Sequence, residues 1–262
     1  MRTLFCAFSL LAILVANAQQ SKKVTLDCFF NHEQRNNAEG KPERFHYIWE
    51  ETDAQGFSIF GKIFTDLGAK LNSLEAAPTG QNLEGTDIYI IVDPDNLKDN
   101  PHPNYIESPD IAVIKDWVNQ GGILVLMGND SANCDLDHLN DLAKNFGIIF
   151  SNKSRNMVKD DDYAVGSVIF PGGNEVFKKA KKAYLKEISV LEVKSPANPI
   201  ITMDGEVIMA GSHYGKGTVF AVGDPWLYNE YTDGRKIPAS FENFLAGKEL
   251  AKWLISLVKV EN

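Results

Sequence analysis

Four polar stretches hold most of the side chains able to do chemistry in this chain. Arg44-Phe45-His46-Tyr47-Ile48-Trp49 places a guanidinium, an imidazole, a phenol and an indole close together. Asp93-Pro94-Asp95 and Gly128-Asn129-Asp130 supply carboxylates and an amide. Gly223-Asp224-Pro225-Trp226 runs into Leu227-Tyr228-Asn229-Glu230-Tyr231-Thr232-Asp233-Gly234-Arg235. An imidazole with an ordinary pKa near ~6.5 suits proton transfer at neutral pH. Tryptophans and tyrosines beside His46 and Arg235 make a platform for sugar rings, whose C–H faces stack on aromatic faces. Several carboxylates on one rim could instead hold a divalent cation, although they show no fixed ligand spacing. Plainer roles compete with each of these. Asp93, Asp95 and Asp130 could cap helices or shape turns, and Trp49 and Trp226 could close the core.

Other motifs do not survive inspection. Gly211-Ser212-His213-Tyr214-Gly215-Lys216-Gly217 lacks the spacing of a phosphate loop and its Ser/Thr after Lys, so it reads as a hairpin turn. There is no Gly-x-Ser-x-Gly elbow, and the turn Gly128-Asn129-Asp130 offers no Ser or Cys nucleophile, which disfavours acyl-enzyme hydrolysis. Cys28 and Cys134 lie in no Cys-x-x-Cys or Cys/His cluster, so a zinc site has no support. They read as two partly buried thiols or as a disulfide pair.

The hydrophobic pattern predicts the elements that must position these groups. Val24–Phe30 reads as a first strand. Phe57, Ile59, Phe60, Ile63, Phe64 and Leu67 share one helical face that ends at Gly68. Lys70–Glu75 and Asp87–Val92 read as strands, the second almost continuously β-branched or aromatic, as a doubly covered parallel strand requires. Ser108 reads as an N-cap with Pro109 at the first helical position, and Gly121-Gly122 as the stop. Ile123–Met127 is the next strand, and Leu136, Leu139, Leu142, Ala143 and Phe146 mark a helix that stops at Gly147. Successive βα units predict a mostly parallel sheet covered on both faces, an α/β three-layer sandwich. Ligands bind beyond the carboxyl ends of such strands, so the four polar stretches should converge on one rim.

After about Ser151 the pattern changes. Asp160-Asp161-Asp162 and Lys178–Lys186 read as solvated surface. A small antiparallel extension is expected in this part; Ile200–Met203, Val207–Ala210 and Val219–Val222 read as strands separated by Asp204-Gly205 and Gly215-Lys216-Gly217, and a last helix from near Ser240 should bury Phe241, Phe244, Leu245, Ala251, Leu254, Ile255 and Val258. No linker separates domains, so residues 19–262 read as a single α/β domain.

The chain has 262 residues, 26 basic and 35 acidic side chains, a formal net charge of -9 and a pI near 5.1. That balance argues against a nucleic-acid binder working through a basic face. Arg2, the apolar run Leu4–Val15 and Ala16-Asn17-Ala18 have the form of a secretory signal peptide over residues 1–18, cleaved before Gln19. Cys6 sits inside the apolar run, away from a lipoprotein anchor position. The expected location is periplasmic or secreted, with no membrane anchor.

With these residues in view, the chain resembles the class I glutamine-amidotransferase-like (flavodoxin-like) fold. Phe45–Glu50, Thr86–Asp95, Gly121–Asp130 and Gly215–Lys236 resemble a domain of Bacteroidetes polysaccharide-degrading systems. That domain occurs alone or joined to unsaturated rhamnogalacturonyl or glucuronyl hydrolases. The stretch 223–235 is the most specific part of the likeness. The missing elbow cysteine means that glutaminase activity does not carry over. Stand-alone exported members resemble the oligosaccharide dehydratase of ulvan utilisation. The resemblance implies removal of water from the non-reducing-end uronic acid of an acidic oligosaccharide. A 4,5-unsaturated residue results, to be cleaved by a partner unsaturated uronyl hydrolase, and no cofactor is implied.

That reaction must neutralise a carboxylate, take the C5 proton and protonate the departing C4 hydroxyl. Residue type assigns Arg235 to the carboxylate, helped by Asn129 or Asn229, and His46 to the base. Tyr228, Tyr231 or Tyr47 would supply the acid proton. Arg44, Trp49, Asp130, Asp224 and Trp226 complete the expected substrate-binding set. The alternative is a non-catalytic module that binds acidic oligosaccharides.

Overall fold

A computed structural model describes residues 21–259. The expected leader, residues 1–18, lies outside the described residues. The chain opens with β1 (Lys23–Asp27), the hairpin β2 (Gln34–Asn36) and β3 (Pro42–Arg44), then α1 (Ser58–Asp66), β4 (Lys70–Leu74) and β5 (Ile88–Val92). It continues with α2 (Ser108–Gln120), β6 (Ile123–Met127), α3 (Leu136–Ala143) and β7 (Ile148–Arg155). A second hairpin, β8 (Ser167–Ile169) and β9 (Lys182–Tyr184), precedes β10 (Ile188–Val193), β11 (Ala197–Met203), β12 (Glu206–Tyr214) and β13 (Gly217–Val222). The short α4 (Asn229–Thr232) and the long α5 (Asn243–Leu257) follow.

The architecture is α/β. One nine-stranded sheet runs β4-β1-β5-β6-β13-β12-β10-β7, with β11 paired to β12. The first five strands of that order are mutually parallel, and the remainder add antiparallel. Every residue of β5, β6 and β13 is buried, which explains their continuous apolar sequences: the sheet is covered on both faces here. Alternation along β5 sorts the two cores. Ile88, Ile90 and Val92 pack with Phe60, Ile63 and Phe64 of α1 and with Leu250 and Leu254 of α5. Tyr89 and Ile91 pack on the other face with Ile114 and Val118 of α2 and with Leu139 and Leu142 of α3.

Local details differ from the sequence reading in instructive ways. The N-cap of α2 is Glu107, not Ser108, because Glu107 and Asp110 form a reciprocal capping box that a Ser at 108 could not complete with its neighbour. The last helix begins at Asn243, whose side chain clasps the backbone of Tyr184 through N–H and C=O at 2.8 and 2.9 Å. Starting there leaves Phe244 on the solvent side, 49% exposed, while Ala246, Gly247, Leu250 and Leu254 are buried. Gly215 and Lys216 do make a hairpin turn, between Tyr214 and Gly217 of paired strands. Cys28 and Cys134 are free and buried, one in each core.

At the start of β13, a side chain at Gly217 would meet backbone: its Cβ would lie 2.1 Å from Val118 O and 2.3 Å from Gly122 O. Both carbonyls are already engaged, Val118 O accepting from Gly121 N–H at 2.9 Å and Gly122 O from Thr218 N–H at 3.3 Å. Gly217→Ala should therefore destabilise the fold by roughly 2–4 kcal/mol in a urea titration, whereas a solvent-side change such as Phe244→Ser should cost under about 1 kcal/mol.

Candidate functional site

The carboxyl ends of β5, β6 and β13 do meet at one edge of the sheet, and a polar cavity of about 260 Å³ opens there. Its lining includes Glu33, His46, Tyr47, Asp93, Asn129, Lys186, Tyr228 and Tyr231. At its base lies Asp93, the residue after β5, buried and in the left-handed region at φ 44°. Such a conformation is uncommon for a residue with a Cβ and persists only where surrounding contacts impose it. Three contacts do so: Asp93 N–H donates to Met127 O at 2.8 Å, Asn31 Nδ2 to Asp93 O at 2.9 Å, and Asn129 Nδ2 to Asp93 Oδ2 at 3.1 Å.

Tyr47 reaches the same carboxyl. Its hydroxyl donates to Asp93 Oδ2 at 2.7 Å and lies 3.0 Å from the hydroxyl of Tyr228. His46 and Tyr47 are both left-handed, at φ 71° and 55°. They are held by His46 N–H donating to Glu51 Oε2 at 2.7 Å and by Tyr47 N–H donating to Gln55 O at 3.1 Å. The His46 ring stacks on Tyr47 at 3.9 Å between centroids, and its Nδ1 pairs with Glu33 Oε1. Asn229 secures the other wall: Glu51 O, Asp53 O and Ser58 Oγ lie 2.9–3.0 Å from its Nδ2, and its Oδ1 accepts from Ile59 N–H at 2.9 Å.

Burial sets the protonation of these groups. It pushes the Asp93 carboxyl up to about 7, although Tyr47, the nearby His46 charge and Asn129 all favour the ionised form. Burial also raises Asp224 well above the carboxylate range, against the Lys186 backbone N–H that donates to it at 2.9 Å. For His46, burial disfavours the imidazolium, but the Glu33 hydrogen bond and charge, with Asp93 and Glu51 behind, outweigh it and raise the imidazole. Tyr47 and Tyr228 are held far above the ordinary phenol range, mainly by burial, so both keep their protons.

Of the residues expected at the site, His46, Tyr47, Asn129, Tyr228 and Tyr231 line the cavity. The others are employed elsewhere. Arg235 is half-exposed and paired with Asp233. Arg44 pairs with Glu75 at 2.7 Å and reaches Glu50 at 3.7 Å. Trp49 packs on Phe57 and Phe60 and donates Nε1 to Asn72 O at 3.1 Å. Trp226 is buried against Phe177. Asp130 shapes the turn before α3, accepting from Ala132 N–H at 2.9 Å and Asn133 Nδ2 at 3.0 Å. Asn229 is the buried clasp already described, and Asp224 lies beneath the wall without lining the cavity. The tryptophans thus build core, not a sugar platform, and neither arginine lines the cavity.

Glu33, Lys186 and Asp93 take their places. Asp93 carried a signal in its Asp-Pro turn after a buried strand. Glu33 and Lys186 carried none, since one sits in an ordinary polar loop and the other in a lysine-rich stretch. Among the described residues, no three His, Cys, Asp or Glu side chains gather as a metal-binding group. Nor is any helix among them long and apolar enough to cross a membrane.

Two consequences can be measured. Asn229→Ala, which strips the bonds joining α4 to the loop that carries Tyr47, should cost roughly 2–4 kcal/mol by urea denaturation. Asp27, buried beneath Tyr89, is pushed like Asp93 from 3.8 to about 7, chiefly by burial. A carboxyl whose folded pKa is raised stabilises the fold fully below its unfolded value, and that contribution is lost as pH rises through the folded value. Stability should therefore fall between about pH 4 and about pH 7 on their account. Asp27→Asn should make this fall shallower, and an unchanged slope in the variant would contradict the assignment.

No family model and no curated protein sequence matches the chain. Solved structures do resemble it. The mmIFT52 N-terminal domain is 16% identical over 90% of this chain and 98% of that one, with a TM-score of 0.64. The cytoplasmic protein STM3548 from Salmonella typhimurium is 13% identical over 89% and 98%, with a TM-score of 0.56. The exo-beta-1,4-mannosidase Op5Man5 from Opitutaceae bacterium strain TAV5 is 12% identical over 92% of this chain but only 36% of its own, with a TM-score of 0.54. At such identities the likeness establishes the α/β fold and leaves function to the site.

Proposed function

We propose that the cavity is the active site of an exported oligosaccharide dehydratase. It would remove water from the non-reducing-end uronic acid of an acidic, ulvan-type oligosaccharide to give a 4,5-unsaturated residue. The scaffold would be class I glutamine-amidotransferase-like, and an unsaturated uronyl hydrolase would consume the product. The observation that carries this reading is the convergence of His46, Tyr47 and Tyr228 on one polar cavity at the parallel strand ends.

The demands of the reaction map onto groups that are present. Glu33 takes up Nδ1 of His46 and so leaves Nε2 for a substrate proton; the same pair raises the imidazole, making it a stronger base. Tyr228, protonated and lining the cavity, would protonate the departing hydroxyl. Lys186, which lines the cavity as neither Arg44 nor Arg235 does, would hold the uronate carboxylate by exchanging its Glu187 partner for it. Neutralising that carboxylate makes the adjacent C–H acidic enough to lose its proton.

The test is to incubate the protein with a uronate-terminated oligosaccharide and follow the ultraviolet absorbance of the conjugated product. Absorbance should rise. Binding without any rise would overturn the catalytic reading in favour of a non-catalytic oligosaccharide-binding module. His46→Gln and Tyr228→Phe should each lower kcat by about 10²–10⁴-fold. Lys186→Gln should lower kcat as well as raise KM, and Arg235→Ala should leave both parameters within about twofold of wild type. A collapse of activity in Arg235→Ala would restore the arginine to the site and refute the assignment to Lys186.

A further inference from the structure

We infer that Asp93 and Tyr47 form a proton relay behind Tyr228, in which one proton on the Asp93 carboxyl decides whether the Tyr228 hydroxyl donates or accepts in the cavity. Hydroxyl hydrogens set the direction of this chain. Each phenol carries one, and an ionised carboxylate can only accept. With Asp93 ionised, the Tyr47 hydrogen is committed to Oδ2 at 2.7 Å. The 3.0 Å contact between the two hydroxyls must then use the Tyr228 hydrogen. Tyr228 is left with lone pairs only for anything bound beside it. A proton on Oδ2 reverses the chain: Asp93 donates to Tyr47, Tyr47 donates to Tyr228, and the Tyr228 hydrogen is released to the cavity. One proton arrives, two hydroxyls rotate, and no other group changes state.

The surroundings make both states accessible. Asp93 Oδ1 is buried without a hydrogen-bond partner, so the ionised form is under-solvated, and burial brings the carboxyl to about 7. The groups facing it are His46 and Glu33 beyond Tyr47, Asn129 and the buried Cys134 thiol after β6, Asp224 at the end of β13, and Tyr228. Tyr47, His46 and Asn129 favour the ionised carboxyl, while Glu33 opposes it. In this relay Asp93 and Tyr47 are positioning residues: they act through Tyr228, whose hydroxyl polarity they set. On the dehydratase reading, on which this consequence rests, Tyr228 must donate, so turnover requires Asp93 to hold its proton.

Tyrosine labelled with ¹³C at Cζ reports the hydrogen-bonding state of each hydroxyl by NMR in the full chain. Tyr47→Phe and Tyr228→Phe assign the two signals. Between about pH 5 and about pH 9 both should shift together with one midpoint near the Asp93 value. Tyr47→Phe should abolish the shift at Tyr228, Asp93→Asn should flatten both signals, and His46→Gln should leave both titrations in place. A pH-independent Tyr228 signal in the wild type would overturn the relay, whether or not Asp93→Asn folds. So would a titration that survives Tyr47→Phe or disappears in His46→Gln. Activity separates the two claims. A titrating Tyr228 without unsaturated product upholds the relay and removes the dehydratase reading. Product formation with a pH-flat Tyr228 removes the relay alone.

Discussion

The carboxyl of Asp93 is where three otherwise separate parts of the chain are tied together. It follows β5, receives a hydrogen bond from Asn129 beyond β6, and receives another from Tyr47 in the loop that precedes α1. Its backbone is bent into the left-handed region to make these bonds. A buried carboxyl is expensive unless it is paired or protonated, and this one is partly both. The cavity, the orientation of Tyr47 and, through it, the hydroxyl of Tyr228 all depend on how that cost is met.

Much of the scaffold was legible in the sequence because it obeys simple periodicity. Continuous apolar runs predicted β5 and β6 within a residue, and glycines at 68, 121 and 147 marked the helix ends, each with positive φ. The convergence of strand-end residues followed from parallel topology alone. The errors arose where tertiary contacts override type. A tryptophan near an arginine looks like a sugar platform. Trp49 instead fills the space above Gly61, where even a Cβ would come within 2.9 Å of its ring. Arg235 carries the charge that a uronate needs, but Asp233, two residues earlier, already pairs with it. No local signal could distinguish Lys186 from its lysine neighbours, because its position depends on a sheet completed by strands far away in sequence.

The net charge of -9 takes on a local meaning at the cavity. Glu33, Asp99, Glu187 and Glu230 line it beside Lys186 and His46, and Lys186 itself pairs with Glu187 at 3.1 Å. An acidic polymer would meet repulsion over most of this surface. A single terminal uronate could still displace Glu187 from the lysine. On the proposed reading, this charge distribution would suit a chain end better than a chain interior.

The central claim is that this cavity, with Tyr228 at its wall, is where the terminal sugar reacts. A crystal structure of the Tyr228→Phe protein with a uronate-terminated oligosaccharide tests it most directly. The account predicts a terminal uronyl ring in the cavity, its carboxylate against Lys186, its C5 facing His46 and its C4 oxygen beside the edge of the substituted ring at position 228. An oligosaccharide seated instead along Arg235, or at the surface groove by Pro109 and His138, would contradict it.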